Sequence, residues 1–314
     1  MGKLIEEHFT FKSTDQTDVF VYKWMLETQE VKGIVQISHG MAETAARYER
    51  FARTLTKHGF IAYANDHRGH GRTAKNIESL GYLGAEGGFE LLIADIAQLT
   101  DIIRAENPQV PIYLFSHSMG SFAAQRYIMD YTDKIDGLIL SGSNGPQGLA
   151  VKAGKVVSKL EMLLRGRKAQ SKLMNKLTFG NYNRSFEPQT TGSEWLTRDE
   201  NELHKYLENP YCGTIFPTSF YYEFLTTLEY IENEENLHKI PTNLSIIIIS
   251  GDQDPVGDFG KGLVKLKERY EQQGVQDLEL ILYPGARHEL LNEINRQEVT
   301  QDILEWLIAR APAG

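Results

Sequence analysis

Four short apolar runs punctuate the first half of the chain: GIVQISH (33–39), GFIAYAND (59–66), IYLFS (112–116) and GLILSGS (137–143). Between them, apolar residues fall three and four apart: Phe51 and Leu55 within 47–57, and Leu92, Ile96, Leu99 and Ile103 within 89–104; a further helix begins over Phe122 to Met129. Runs apolar at nearly every residue suit strands buried on both faces, and helical spacing between them supplies the covering layers. The alternation therefore predicts an α/β fold, a mostly parallel central sheet with helices on both faces. Ahead of it, HFTFKS and VFVYKWM read as two paired strands.

After Asn144 the rhythm stops. The next comparable run is NLSIIIISG (243–251), followed by a helix over Leu263–Tyr270, the strand LELILY (278–283) and a last helix over Val299–Ile308. The chain thus divides into a core in two parts, 1–144 and 241–314, with an insertion over 145–240. Neither a dinucleotide-binding glycine fingerprint nor a P-loop is present. A net charge of −9 gives no basis for a nucleic-acid partner. The single cysteine, Cys212, cannot form an internal disulfide and fits a reducing compartment. Glu6 and Glu7 stand where a secretory signal needs apolar residues, and the longest strongly apolar run, Ile246 to Ile249, is too short to span a bilayer. A cytoplasmic location is expected.

The strand IYLFS ends in SHSMG, a variant of the G-x-S-x-G nucleophile elbow with Ser116 in place of the first glycine. Small residues flank Ser118 because the turn from strand to helix is tight enough for bulkier side chains to collide across it. Carboxyl ends of parallel strands are where such sheets bind ligands. A nucleophilic serine there needs a carboxylate and then a histidine, in that chain order and each at a later strand end. IIIISGDQDPV supplies Asp252 and Asp254, and LILYPGARHELL supplies His288. Asp254 is favoured because it leaves two residues for the chain to turn after Ser250-Gly251; Asp252 reads as a turn residue bonding its own backbone and Asp258 as a helix N-cap. His39, His67, His70 and His117 are expected to hold loops by hydrogen bonds. The backbone N–H of Met119, opening the next helix, and that of Met41, in the SHGMAE loop, are the candidate oxyanion donors. Neither a metal nor an organic cofactor is called for.

Five stretches taken together, SHGMAETAARY (38–48), NDHRGHGRT (65–73), SHSMGS (116–121), SGDQDPVG (250–257) and YPGARHELLNE (283–293), resemble the monoacylglycerol lipase and lysophospholipase branch of the α/β-hydrolase fold. The resemblance covers the whole core in order. It implies Ser118 as nucleophile, Asp254 as acid, His288 as base, Met41 and Met119 as oxyanion donors, and a cap inserted between Asn144 and Asn243. The departures are Ser116, and Met41-Ala42 with Thr44-Ala45-Ala46 where the branch carries smaller or more polar residues. Glu43 and Arg47, spaced i,i+4, either pair with each other or help bind the polar end of a substrate.

Within the insertion, Val151–Lys176 carries eight basic residues against one acid, Glu161, and apolar residues at 153, 156, 157, 160, 163 and 164 form a helical stripe. Such a helix covers a pocket with its stripe, the reading helices of this pattern favour, or lies on an anionic membrane. The aromatic stretch 211–231 lines an acyl pocket or is plain core. The expected activity is hydrolysis of a carboxylic ester, a monoacylglycerol or a lysophospholipid, through an acyl-enzyme. A thioesterase or peptidase with the same three residues is the nearest rival, and a silent ligand-binding protein of this fold the more distant one. The partner is a small-molecule acyl ester; oligomeric state is not legible.

Overall fold

Strand pairing follows the apolar runs. The structure, a computed structural model, describes residues 2–27 and 30–312. In chain order the first part holds β1 (Leu4–Lys12), β2 (Asp18–Leu26), β3 (Gly33–Ser38), α1 (Glu49–Lys57), β4 (Phe60–Asn65), α2 (Gly88–Glu106), β5 (Ile112–His117), α3 (Met119–Asp130) and β6 (Gly137–Ser141). Five helices follow: α4 (Leu149–Arg165), α5 (Lys172–Phe179), α6 (Glu200–Glu208), α7 (Thr218–Glu232) and α8 (Glu234–Leu237). The sheet then resumes with β7 (Ser245–Gly251), α9 (Lys261–Gln272), β8 (Leu278–Tyr283) and α10 (Arg296–Arg310).

The eight strands form one sheet in the order β1-β2-β4-β3-β5-β6-β7-β8. β1–β2 and β2–β4 are antiparallel, and the other pairs are parallel. Successive side chains feed opposite faces. Ile112 and Leu114 of β5 enter one core with α2, α3 and α9, while Tyr113 and Phe115 enter a second with α1 and α10. Every residue of β3, β4, β5 and β6 is buried. That is why these strands read as continuous apolar runs, each large side chain contributing roughly 1.5–3 kcal/mol. The chain reverses direction across the sheet at β3 and β5, so the crevice of this fold opens at their carboxyl ends.

Two glycines set how closely the loops at that edge approach. A Cβ on Gly120, in the first turn of α3, would stand 2.3 Å from the Ser38 carbonyl oxygen and 2.7 Å from that of His39. A Cβ on Gly251 would stand 1.9 Å from the Ala286 carbonyl oxygen. The collision expected from a bulkier elbow is therefore with the end of β3. Ser116 fits because its hydroxyl donates to the Ile139 carbonyl at 2.8 Å.

Between β6 and β7 the chain carries helices and loops and adds no strand to the sheet. α4 packs along α7, and α7 reaches α2 and α3. The basic segment differs from expectation. It forms two helices, α4 ending at Gly166 with φ +86°. Its apolar stripe does not cover the pocket: Val156, Leu160, Leu163 and Leu164 face solvent, while Val151, Ser158 and Glu161 are buried. Gly154 on the same inward side lies against Leu225 of α7, where the close approach of the two helices leaves little room for a side chain. The aromatic stretch divides between its two readings: Phe216 and Phe220 are core, whereas Tyr221 and Phe224 line the cavity described below.

Overpacking at a backbone contact costs about 1–3 kcal/mol. Gly251→Ala and Gly120→Ala are expected to lower Tm by several degrees in calorimetry. Gly120→Ala must also push α3 from β3 and reduce labelling of Ser118 by a fluorophosphonate.

Candidate active site

Ser118 sits at the junction of β5 and α3 with φ 51° and ψ −120°, a positive φ that non-glycine residues rarely adopt. The turn is held on three sides. Its own N–H donates to the Ser141 carbonyl at 2.9 Å, its carbonyl accepts from the Ser121 hydroxyl at 2.6 Å, and Gly120 presses on β3. Surrounding contacts that over-determine a conformation are what keep such strain in place.

Asp254 and His288 come together as their positions predict. His288 Nδ1 lies 2.9 Å from Asp254 Oδ2, and both residues are buried. The carboxylate is otherwise bonded by the Ser250 hydroxyl at 3.2 Å and the Val256 N–H at 2.9 Å. With the carboxylate accepting, Nδ1 carries the proton and Nε2 keeps its lone pair. Burial by itself pushes the imidazole pKa down. The Asp254 carboxylate outweighs it, with Glu289 and Glu43 adding to the pull, so His288 stands above its ordinary 6.5. Asp252 holds a turn as expected, with a different partner: its carboxylate accepts the Gly285 N–H at 2.7 Å in the Pro284-Gly285 corner. Asp258 is not an N-cap. It has φ 49°, and Gly260 occupies the capping position of α9.

Ser118, His288, Met41 and Met119 line one cavity of about 560 Å³. Among the described residues the amides of Met41 and Met119 have no hydrogen-bond acceptor. No hydrogen bond joins the Ser118 hydroxyl to His288 among those residues; catalytic hydrogen bonds of this kind tighten in the complex with substrate. Helices α4, α5 and α7 and the 192–196 segment complete the walls, with Phe179, Tyr182, Trp195, Phe224 and Leu228 among the apolar groups.

His39, His67 and His70 hold loops by hydrogen bonds, as expected. His39 donates from Nδ1 to the Gly40 carbonyl (2.7 Å) and accepts the His67 N–H at Nε2 (3.0 Å). His70 meets the Arg68 carbonyl at 3.0 Å. Burial pushes His39 down to about 4 and His70 to about 3, so both stay neutral across the working range. His117 lies with its ring 4.7 Å from that of His288; burial, then its neighbour's charge, pushes it to about 4.

Glu43 and Arg47 do pair, at 2.7 Å, with Glu43 buried and the Arg47 side chain only 11% exposed, rather than on an open helix surface. Arg47 also grips Glu289 with both terminal nitrogens, at 2.8 and 2.6 Å. Sequence reading missed Glu289 as a partner: it is 242 positions from Arg47, and its only signal was adjacency to His288. It also missed Trp195, whose ring lies 5.0 Å from the His288 ring and whose carbonyl accepts the His288 N–H at 3.4 Å.

The profile of the family described as serine aminopeptidase, S33, matches residues 29–295. The chain belongs to that family. It is a serine-hydrolase-type α/β-hydrolase, related to monoglyceride lipases and esterases. It is 25% identical over 291 residues to the monoacylglycerol lipase of Mycolicibacterium smegmatis, covering 91% of each chain. With the monoglyceride lipase of Mus musculus it shares 27% identity over 295 residues, 90% of this chain and 86% of that one. A thermostable carboxyl esterase from Bacillus coagulans, solved in complex with glycerol, superimposes with a TM-score of 0.87 at 28% identity, covering 98% of this chain and 99% of that one.

Because His288 is raised in the folded state, its charged form contributes stability that is fully present below pH 6.5 and lost as pH rises through the folded value. Asp254→Asn is expected to lower the His288 pKa in an NMR titration and to erase that extra stability on the acid side. An unchanged titration curve would show that the carboxylate does not act on the ring.

Proposed function

We propose that the protein hydrolyses monoacylglycerols by way of an acyl-enzyme on Ser118. The observation that carries the reading is that His288, held by the buried Asp254, lines the same cavity as a strained, partly exposed serine and two amides with no hydrogen-bond acceptor among the described residues. Ser118 Oγ attacks the ester carbonyl carbon while its proton passes to His288 Nε2. Asp254 orients the ring and stabilises the imidazolium. The carbonyl oxygen becomes an alkoxide and accepts from the Met41 and Met119 amides; oxyanion donors typically contribute about 3–4 kcal/mol each. Collapse breaks the ester C–O bond, and the leaving alcohol takes the proton from His288. Water then repeats the sequence on the acyl-serine and releases the fatty acid.

The cavity favours a neutral alcohol over a phosphodiester. At its polar end Glu43 and Glu289 contribute two buried carboxylates against one guanidinium, so a phosphate would meet net negative charge where Coulomb energies are poorly screened. A volume of about 560 Å³ with aromatic and aliphatic walls suits a flexible acyl chain. An aminopeptidase would use such a carboxylate to hold a free amine, yet both are already bonded, Glu43 by Arg47, Tyr48 and the Gly40 N–H, and Glu289 by Arg47 and Asn292.

A screen of monoacylglycerols, lysophospholipids of the same chain, p-nitrophenyl esters, thioesters and aminoacyl amides is expected to rank the first highest. Ser118→Ala should lose at least about 10³-fold in kcat. For wild type, the acid limb of kcat/KM should fall above pH 6.5, since only neutral His288 accepts the proton. Faster cleavage of the amides or the lysophospholipids would overturn the substrate assignment.

The outer face of α4 supplies the route to such substrates. Leu163 and Leu164 are 69% and 85% exposed on a helix that also exposes Lys152 and Lys159, with Lys172 opening α5, and no helix among the described residues is long and apolar enough to cross a membrane. Apolar side chains in a basic surround suit the surface of an anionic bilayer. Co-sedimentation with anionic vesicles should be lost in high salt and on reversing the charge of Lys152, Lys159 and Lys172. Binding unchanged by both would remove the membrane from the account.

A further inference from the structure

The Met41 amide and the His288 ring belong to loops more than two hundred residues apart in sequence, one leaving β3 and the other following β8. Oxyanion stabilisation and proton transfer act on one substrate atom group, so the spacing of these loops must hold to a fraction of an ångström. Packing alone rarely fixes two loops so closely. A single guanidinium spans them here.

Arg47 Nη1 donates to Glu43 Oε2 at 2.7 Å and to Glu289 Oε1 at 2.8 Å, and its Nη2 donates to Glu289 Oε2 at 2.6 Å. Glu43 Oε1 turns back to accept the Gly40 N–H at 2.5 Å and the Tyr48 hydroxyl at 2.8 Å. The carboxylate of Glu43 thus holds the His39–Gly40 peptide, one peptide ahead of the one that carries the Met41 amide. At the other end, Glu289 is the residue after His288, and its second oxygen also accepts from Asn292 at 2.9 Å. Glu43 and Glu289 are 3% and 6% exposed. Burial pushes the Glu289 carboxyl up, but Arg47 outweighs it and holds it down at about 2, so Glu289 stays charged over the whole working range. The Tyr206 ring, which lines the cavity, lies over the guanidinium with its centroid 5.0 Å from Cζ, a cation–π contact that adds to the hold on Arg47.

We infer that Glu43, Arg47 and Glu289 form a buried strap of positioning residues that fixes the Met41 amide relative to His288. This rests on the proposed hydrolytic role of Ser118 and His288. None of the three needs to touch the reacting atoms. The strap transmits position: neutralising either carboxylate releases one end, and the whole spacing loosens. A bidentate guanidinium–carboxylate contact suits this task because it fixes angle as well as distance.

The test compares Glu43→Gln, Glu289→Gln and the double variant with wild type on a monoacylglycerol and on p-nitrophenyl butyrate. Each single variant should lose about 10–100-fold in kcat with KM within about twofold, since misplacement by about an ångström is worth that much. The double variant should be no slower than the slower single, because either cut releases the same strap. Three results would overturn the inference: folded variants with unchanged kcat, losses that lie in KM alone, or losses that multiply in the double variant. If one variant does not fold, the other decides by the same kcat and KM criteria. An inactive wild type that fluorophosphonate leaves unlabelled would sink the hydrolase reading itself, whereas an active wild type with unchanged variants sinks only the strap.

Discussion

The approach of the first turn of α3 to the last residues of β3 governs everything at the catalytic edge. With a Cβ on Gly120 excluded by the Ser38 and His39 carbonyls, no other residue type lets the helix begin where it does. That placement bends the backbone at Ser118 into its strained conformation and brings the Met119 amide beside the loop that carries Met41. The strain is stored locally and held by the packed sheet beneath, where β3 and β5 pair over five residues and are buried on both faces.

Charge inside the molecule is arranged in closed sets. Arg68, 1% exposed, is ringed by Asp95, Asp15, Ser13 and the Leu83 carbonyl, tying the loop after β4 to the β1–β2 turn and to α2. Arg47 is enclosed in the same manner. Buried ion pairs of this kind gain little net stability, because desolvation offsets most of the attraction, but removing one partner strands the others at high cost. Such sets specify geometry more than they deepen the native well. In both cases the geometry specified is that of a loop at the edge where the cavity opens.

Much of this was legible in the chain. Fully buried parallel strands must be apolar throughout, so β3 to β7 announced themselves, and the order Ser118, Asp254, His288 followed from strand ends. The small-x-Ser-x-Gly spacing marked a tight turn because only small residues survive there. Other features carried no local signal. Glu289 shows nothing in the sequence but its adjacency to His288 until the fold places it against Arg47. The inward and outward faces of α4 were reversed because periodicity reports a stripe, not what covers it. Asp258 had the composition of a cap but lies in a corner with positive φ, set by the Phe259 N–H reaching back to the Asp254 carbonyl at 2.9 Å. Pairings across distant segments and the choice of face are properties of the assembled chain.

The segment ahead of α6 is stitched to the histidine loop. Glu289 N–H donates to the Leu196 carbonyl at 2.7 Å, Arg287 reaches the Glu194 carbonyl at 2.6 Å, the Thr197 hydroxyl reaches the Asn292 carbonyl at 2.8 Å, and Arg198 pairs with Glu293. The roof over the cavity and the floor under the imidazole are therefore one mechanical part. A chimera that imports residues 149–237 from a relative also imports the ceiling on which His288 rests. Substrate range and proton-transfer geometry are inherited together, and recombination within this family has to respect the seam.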